Sequence, residues 1–192
     1  MRIPALVAAG LTVAIACGGP ASQVATPTPT AAATTATPSP TPKPLAATAE
    51  LKDKDGNTVA TATLTEQTGG VRVVLTATKI AAGQHGWHLH AVGKCDSADF
   101  ATAGGHFNPD TKQHGTQNPQ GPHAGDLGNL TAGADGTAKA DVVAKVTLAP
   151  GATSLLKTDG TAIVIHANPD DDKTDPSGNS GARIACGVVK AS

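Results

Sequence analysis

The chain has no tyrosine, one tryptophan and two phenylalanines among 192 residues. It also lacks a charge bias: 14 lysines and arginines face 15 acidic residues, for a formal net charge of −1. A nucleic-acid surface needs a basic stripe, with aromatics interleaved where bases stack, and neither is present. Residues 3–16 form an uncharged apolar stretch, shorter than the roughly 20 residues a membrane-crossing helix requires. No segment shows a sustained 3.6-residue apolar period, which argues against a helical domain.

The apolar stretch follows Arg2 and reads as a secretory signal. It ends in Ala14-Ile15-Ala16-Cys17-Gly18. Small residues before a cysteine resemble the lipobox of bacterial lipoproteins, which implies that Cys17 becomes the lipid-modified N-terminus. The alternative is ordinary cleavage near Ala21-Ser22, with Cys17 discarded. Residues 18–44 are almost entirely Pro, Thr, Ala, Ser and Gly, with seven prolines and Lys43 as the only charge. Such a composition cannot bury enough apolar surface to fold. Fully extended at about 3.1 Å per residue, it reaches roughly 80 Å. The chain therefore divides into a signal at 1–16, a lipidated Cys17 with its linker at 17–45, and a folded domain at 46–192. The expected location is outside the cytoplasm, anchored to the cell membrane by lipid.

Setting Cys17 aside leaves an even pair, Cys95 and Cys186. Export is where such a pair oxidises. The bridge would close a loop of about 90 residues, worth roughly 4–5 kcal/mol at most in the chain-entropy view.

Within the domain, Ala, Val, Thr and Leu dominate and turn residues recur about every ten positions. Strands are expected at 47–51, 58–66, 71–78, 87–92, 128–132, 138–148, 161–166 and 184–189, with a hairpin turn at 52–57. This spacing argues a β-sandwich or barrel. Two long irregular segments, 93–127 and 167–183, break the rhythm. A structureless loop of some 35 residues is uncommon in a compact domain unless something orders it. The first loop carries His106, His114, His123 and Asp126, so a bound metal would supply that order.

Six of the seven histidines fit a metal pattern. His88 and His90 are two apart, so on a strand they face the same side with Leu89 opposite. His106, His114, His123 and Asp126 offer three nitrogens and an oxygen, a set that suits tetrahedral zinc. His88, His90 and His166, with a fourth imidazole from the loop, suit copper. One imidazole ligates two metals when both ring nitrogens are deprotonated. His85, on the opposite parity from His88, is left as a structural hydrogen-bonding residue.

Longer motifs carry a family resemblance. Gly86-Trp87-His88-Leu89-His90-Ala91-Val92-Gly93 resembles the first signature of the copper/zinc superoxide dismutases. Gly178-Asn179-Ser180-Gly181-Ala182-Arg183-Ile184-Ala185-Cys186-Gly187-Val188-Val189 resembles the second. Between them, Gly105-His106-Phe107-Asn108-Pro109, Lys112-Gln113-His114-Gly115 and His123-Ala124-Gly125-Asp126-Leu127-Gly128-Asn129 resemble the zinc loop. The resemblance spans roughly 46–190. It implies an all-β, eight-stranded Greek-key barrel, immunoglobulin-like in its layering, with two long functional loops.

It also implies one copper on His88, His90, His106 and His166, and one zinc on His106, His114, His123 and Asp126. His106 would bridge them and act catalytically. Cys95 and Cys186 would form the disulfide. Asp170 would orient one histidine of each set, and Arg183 would line the copper channel and attract the substrate anion. The implied activity is disproportionation of superoxide at the cell envelope. The alternative is a non-catalytic copper- and zinc-holding envelope lipoprotein.

Trp87 and Lys94 depart from the family pattern. The run Asp170-Asp171-Asp172 opposes an anion-attracting field, whereas Lys173 and Arg183 favour one. The implied partners are superoxide and, through Cys17, a membrane, with no nucleic acid. A homodimer is left open, with Phe100 either an interface anchor or core.

Overall fold

The computed structural model describes Lys43 and residues 45–192. The signal, Cys17 and nearly all of the linker lie outside the described residues. The domain consists of β1 (Ala46–Lys52), β2 (Thr58–Gln67), β3 (Gly70–Ala77), β4 (Gly83–His90), β5 (Asp126–Ala132), β6 (Ala138–Ala144), β7 (Ala162–His166), β8 (Arg183–Val188) and a short β9 (Lys190–Ala191). Among the described residues the one helical element is a single 3₁₀ turn, Ala101–Ala103.

Neighbouring strands are antiparallel and run in the order β2-β3-β6-β5-β4-β7-β8-β1, and β1 also pairs with β2. That second pairing closes an eight-stranded barrel. The jumps from β3 to β6 and from β4 to β7 are the Greek-key crossovers. Closure removes the unpaired edges that an open sheet exposes. β9 extends the sheet beside the start of β1, pairing Ala47 with Ala191 and Thr48 with Lys190.

Alternation explains the core. In β3, Val71, Val73, Leu75 and Ala77 are buried while Arg72 and Thr76 face solvent. Leu51, Leu64, Trp87, Leu89, Leu130, Ile163 and Ile165 complete the interior with many alanines. Small aliphatic residues fill a narrow barrel, so few aromatics are needed. Phe100 is core: it packs with Ala103, Ala162, Val164 and Cys186 in a second cluster outside the barrel interior. The β1–β2 hairpin is tied by Asp53, whose Oδ1 accepts from the amides of Asp55 and Asn57 at 2.9 Å each.

Two strand boundaries differ clearly from the sequence expectation. β4 begins at Gly83, four residues before Trp87, and ends at His90. Its polar, glycine-containing first half lacks an apolar pattern, yet it pairs regularly with β5 from Gly83↔Ala132 to Gly86↔Asn129. β6 ends at Ala144 although Val146 and Leu148 are buried. There the chain turns away, and the carboxylate of Glu66 collects Thr147 Oγ1 and the amide of Leu148. The long loops occupy one region of the surface, and the residues they carry meet the outer face of β4 and the end of β7.

Candidate metal centre

Parity on β4 sends Trp87 and Leu89 into the barrel and His88 and His90 outward, where all four are buried. The loop after β4 returns beside it, and His106 forms an isolated antiparallel bridge with His90. A register irregularity at the end of β7 accompanies His166 as it joins the group. His88 and His106 rings stack at 3.9 Å between centroids, and His166 stands 4.9 Å from His88. One ligating atom from each of His88, His90, His106 and His166 lies within 4.8 Å of the others.

The hydrogen bonds assign each ring nitrogen a task. His88 Nε2 donates to Asp170 Oδ2 at 2.6 Å, His90 Nδ1 to the Gly104 carbonyl at 2.9 Å, and His166 Nδ1 to the Gly181 carbonyl at 3.1 Å. A carbonyl accepts only, so the proton sits on that nitrogen and the other keeps its lone pair. Those other atoms, His88 Nδ1, His90 Nε2, His106 Nε2 and His166 Nε2, are buried without any hydrogen-bond partner. Buried polar atoms are normally satisfied. Four orphaned lone pairs converging on one point fit a metal ion that takes imidazoles, as copper does.

The second set adjoins the first through His106. Three Nδ1 atoms, of His106, His114 and His123, lie 2.8, 3.1 and 3.2 Å from Asp126 Oδ1. The His114 contact is off-line, so its Nδ1 is also an orphan. Asp126 Oδ2 is fixed by the amides of Gly115 and His123 at 2.9 Å each. Three nitrogens around one carboxylate oxygen are the donor set for zinc. Asp170 reaches both groups, because its Oδ1 accepts from His114 Nε2 at 2.9 Å while Oδ2 holds His88.

Electrostatics separates the two sets. Burial pushes His88 down to about 3, His90 to about 2 and His166 to about 4. Burial lowers His106 as well, against its hydrogen bond with Asp126. These rings are therefore neutral, the form that ligates. In His114, burial is overcome by the two carboxylates on either side of its ring, Asp126 and Asp170, and its pKa rises to about 10. Burial pushes Asp126 and Asp170 upward, but their histidine partners win and hold both below the usual carboxylate range.

A pocket of about 490 Å³ opens onto His90, His106 and His166 and is flanked by Arg183 and Lys112. Arg183 is half-buried, and its two terminal nitrogens donate to the carbonyls of Phe100 and Gly104 at 2.6 Å each. Both carbonyls belong to the segment that follows Cys95, which is disulfide-bonded to Cys186.

The rest of the acidic run is committed to hydrogen bonds within the two loops. Asp171 Oδ1 accepts from the amides of Lys173 and Thr174. Asp172 takes the amide and hydroxyl of Thr116. His85 joins neither metal set, and its ring nitrogens face the carbonyls of His166 and Ala81 at 2.8 and 3.0 Å. Sequence reasoning missed three contributors: Lys112 at the pocket, Asn129 beside Asp170, and the Gly104 carbonyl. Lys112 carried a detectable signal, since it lies two positions before His114 in a ligand loop.

A closed Greek-key barrel with two adjoining buried ligand sets defines a binuclear metalloprotein. The chain matches the family described as copper/zinc superoxide dismutase (SODC) over residues 58–189. It is 46% identical over 141 residues to "Superoxide dismutase [Cu-Zn] 1" of Aquifex aeolicus, covering 72% of this chain and 83% of that one. It is 43% identical over 140 residues to "Superoxide dismutase [Cu-Zn]" of Caulobacter vibrioides, covering 71% and 80%. Among solved structures, a SOD-like protein from Bacillus subtilis superposes with a TM-score of 0.71 at 39% identity, covering 73% of this chain and 96% of that one. The chain belongs to the copper/zinc superoxide dismutase family, and it is an oxidoreductase with copper and zinc as cofactors.

Proposed function

We propose that the domain disproportionates two superoxide anions and two protons into oxygen and hydrogen peroxide. His88, His90, His106 and His166 would hold copper, and His106, His114, His123 and Asp126 would hold zinc, with His106 common to both sets. Bound copper supplies the one-electron redox couple, and zinc supplies a fixed positive charge. The observation that carries this reading is His106, whose Nδ1 sits 2.8 Å from Asp126 Oδ1 while its buried Nε2 faces the other set unpartnered.

The chain's own residues then have distinct tasks. Arg183 draws the anion toward the pocket and orients it. The buried imidazoles present neutral lone pairs. His106 Nε2 takes a proton in the first half-reaction and returns it as general acid in the second, while Nδ1 stays with the zinc set. Asp170 keeps the rings of His88 and His114 in register, as an outer carboxylate does for metal-bound histidines.

The signal-like stretch, the lipobox-like run before Cys17 and the proline-rich linker support an exported domain tethered to the membrane surface, where it would protect the envelope. Metal analysis with a superoxide assay on the loaded chain tests the activity. One copper and one zinc with rapid dismutation is expected. Two bound metals without turnover would leave a metal-holding lipoprotein instead. Mass spectrometry of the mature N-terminus tests the tether, and an unmodified N-terminus would overturn it.

A further inference from the structure

Asp126 and Asn129 are three apart on β5, a spacing that puts side chains on opposite faces of a regular strand. The register changes this. Gly86 pairs with Asn129 and His88 pairs with Asp126. One β4 residue, Trp87, therefore faces two on β5, Leu127 and Gly128. This is a β-bulge, with Gly128 at φ 83°. The extra residue resets the parity. Asp126 and Asn129 both lie on the outer side with His88, while Leu127 and Leu130 pack on the core.

Asn129 uses that position to grip Asp170. Its Nδ2 donates to the Asp170 carbonyl at 2.8 Å, and its Oδ1 accepts from the Asp170 amide at 2.7 Å. One side chain thus satisfies both backbone groups of Asp170, as a strand neighbour would. Gly86, opposite Asn129, leaves the necessary room. A Cβ there would lie 2.6 Å from Ser180 Oγ and 3.1 Å from Asp170 Cβ. His114 is consequently held between two carboxylates that one strand locates. Asp126 Oδ1 is 3.1 Å from its Nδ1, and Asp170 Oδ1 is 2.9 Å from its Nε2.

We propose that the β5 bulge and Asn129 form a positioning device for the zinc set: Asn129 acts through Asp170, and the bulge fixes its distance from Asp126. The inference rests on the assignment of zinc to His106, His114, His123 and Asp126. Its consequence is that an exposed asparagine, touching no ligand, controls zinc affinity.

The test uses the full chain, stripped of metal and titrated with zinc, then with cobalt for its visible spectrum. Asn129→Ala should weaken zinc binding about 10- to 100-fold, as loss of an outer hydrogen-bonding partner does. Its cobalt bands should shift as well. Thr131→Ala, on the same exposed face of β5, controls for general strand destabilisation and should leave zinc affinity unchanged. In an Asp170→Asn background, adding Asn129→Ala should cost nothing further, because the two act as one unit. Wild-type zinc affinity in Asn129→Ala, or additive losses in the double variant, would overturn the proposal. Amide exchange at Asp170 in the metal-free chain probes the grip without metal. It should quicken in Asn129→Ala, and unchanged protection would refute the grip. Failure of the wild-type chain to take zinc would instead overturn the zinc assignment.

Discussion

His90 and Arg183 are tied to one oxygen: the Gly104 carbonyl accepts His90 Nδ1 at 2.9 Å and a guanidinium nitrogen of Arg183 at 2.6 Å. A residue of the set proposed for copper and the cation at the pocket are therefore positioned by the same peptide unit. The second terminal nitrogen of Arg183 takes the Phe100 carbonyl. Arg183 is held by geometry rather than by an ion pair, which leaves its charge available to an incoming anion.

Arg183→Lys should consequently not be conservative. An ammonium is a point charge without the planar fork that spans two carbonyls. We expect kcat/KM for superoxide to fall about tenfold, because the charge is kept but no longer held at a fixed point beside the pocket. The salt dependence should change little, because the positive charge is retained, while copper and zinc contents stay at one each. An unchanged rate across a salt series would remove Arg183 from substrate capture.

His166 falls only in the set proposed for copper, with its Nδ1 on Gly181 and its Nε2 orphaned. His166→Ala should abolish dismutation and lower copper affinity, yet leave zinc bound at full occupancy. Elemental analysis beside the activity assay distinguishes this from general unfolding. Loss of both metals would mean that His166 supports the whole centre.

Most of the fold and much of the histidine clustering were legible in the sequence because they rest on local rules. Alternation in β3 and the two-residue spacing of His88 and His90 follow directly from strand geometry. What stayed hidden depends on register and backbone. The first half of β4 is polar and glycine-containing, so only its pairing with β5 reveals it. Asn129 shares a face with Asp126 only because of a bulge, and Gly104 contributes a carbonyl that any residue type carries. The tasks within the acidic run were hidden for the same reason: Asp170, Asp171 and Asp172 read as three like charges, and only the fold shows which donors each carboxylate engages.

Gly178 should tolerate no side chain. Its φ is +62°, and an added Cβ would lie 1.9 Å from Asp170 Oδ1 and 2.6 Å from His114 Nε2. Gly178→Ala must displace the carboxylate that orients both metal sets. Zinc affinity should drop about 10- to 100-fold, which competition against a chelator measures. Wild-type affinity would show that Asp170 is dispensable for the zinc set.

The pH dependence of the metal-free chain offers the sharpest check on the electrostatics. His88, His90 and His166 are lowered to about 3, 2 and 4 from an ordinary 6.5. The unfolded chain therefore binds more protons below pH 6.5, and stability is lost as pH falls from there through the folded values. His114 runs the other way. Raised to about 10, it contributes stability that is complete below pH 6.5 and disappears as pH rises toward 10. Thermal unfolding in chelator should thus show a maximum near pH 6.5 with a decline on both sides. Zinc should erase the alkaline decline, because it takes His114 Nδ1 and displaces the proton. Calorimetry of zinc binding at pH 8 in two buffers of different ionisation enthalpy should accordingly detect proton release. Copper loading of the neutral His88, His90 and His166 should release none from those three rings. A metal-free midpoint that climbs between pH 7.5 and 9.5 would contradict a protonated His114 between the two carboxylates.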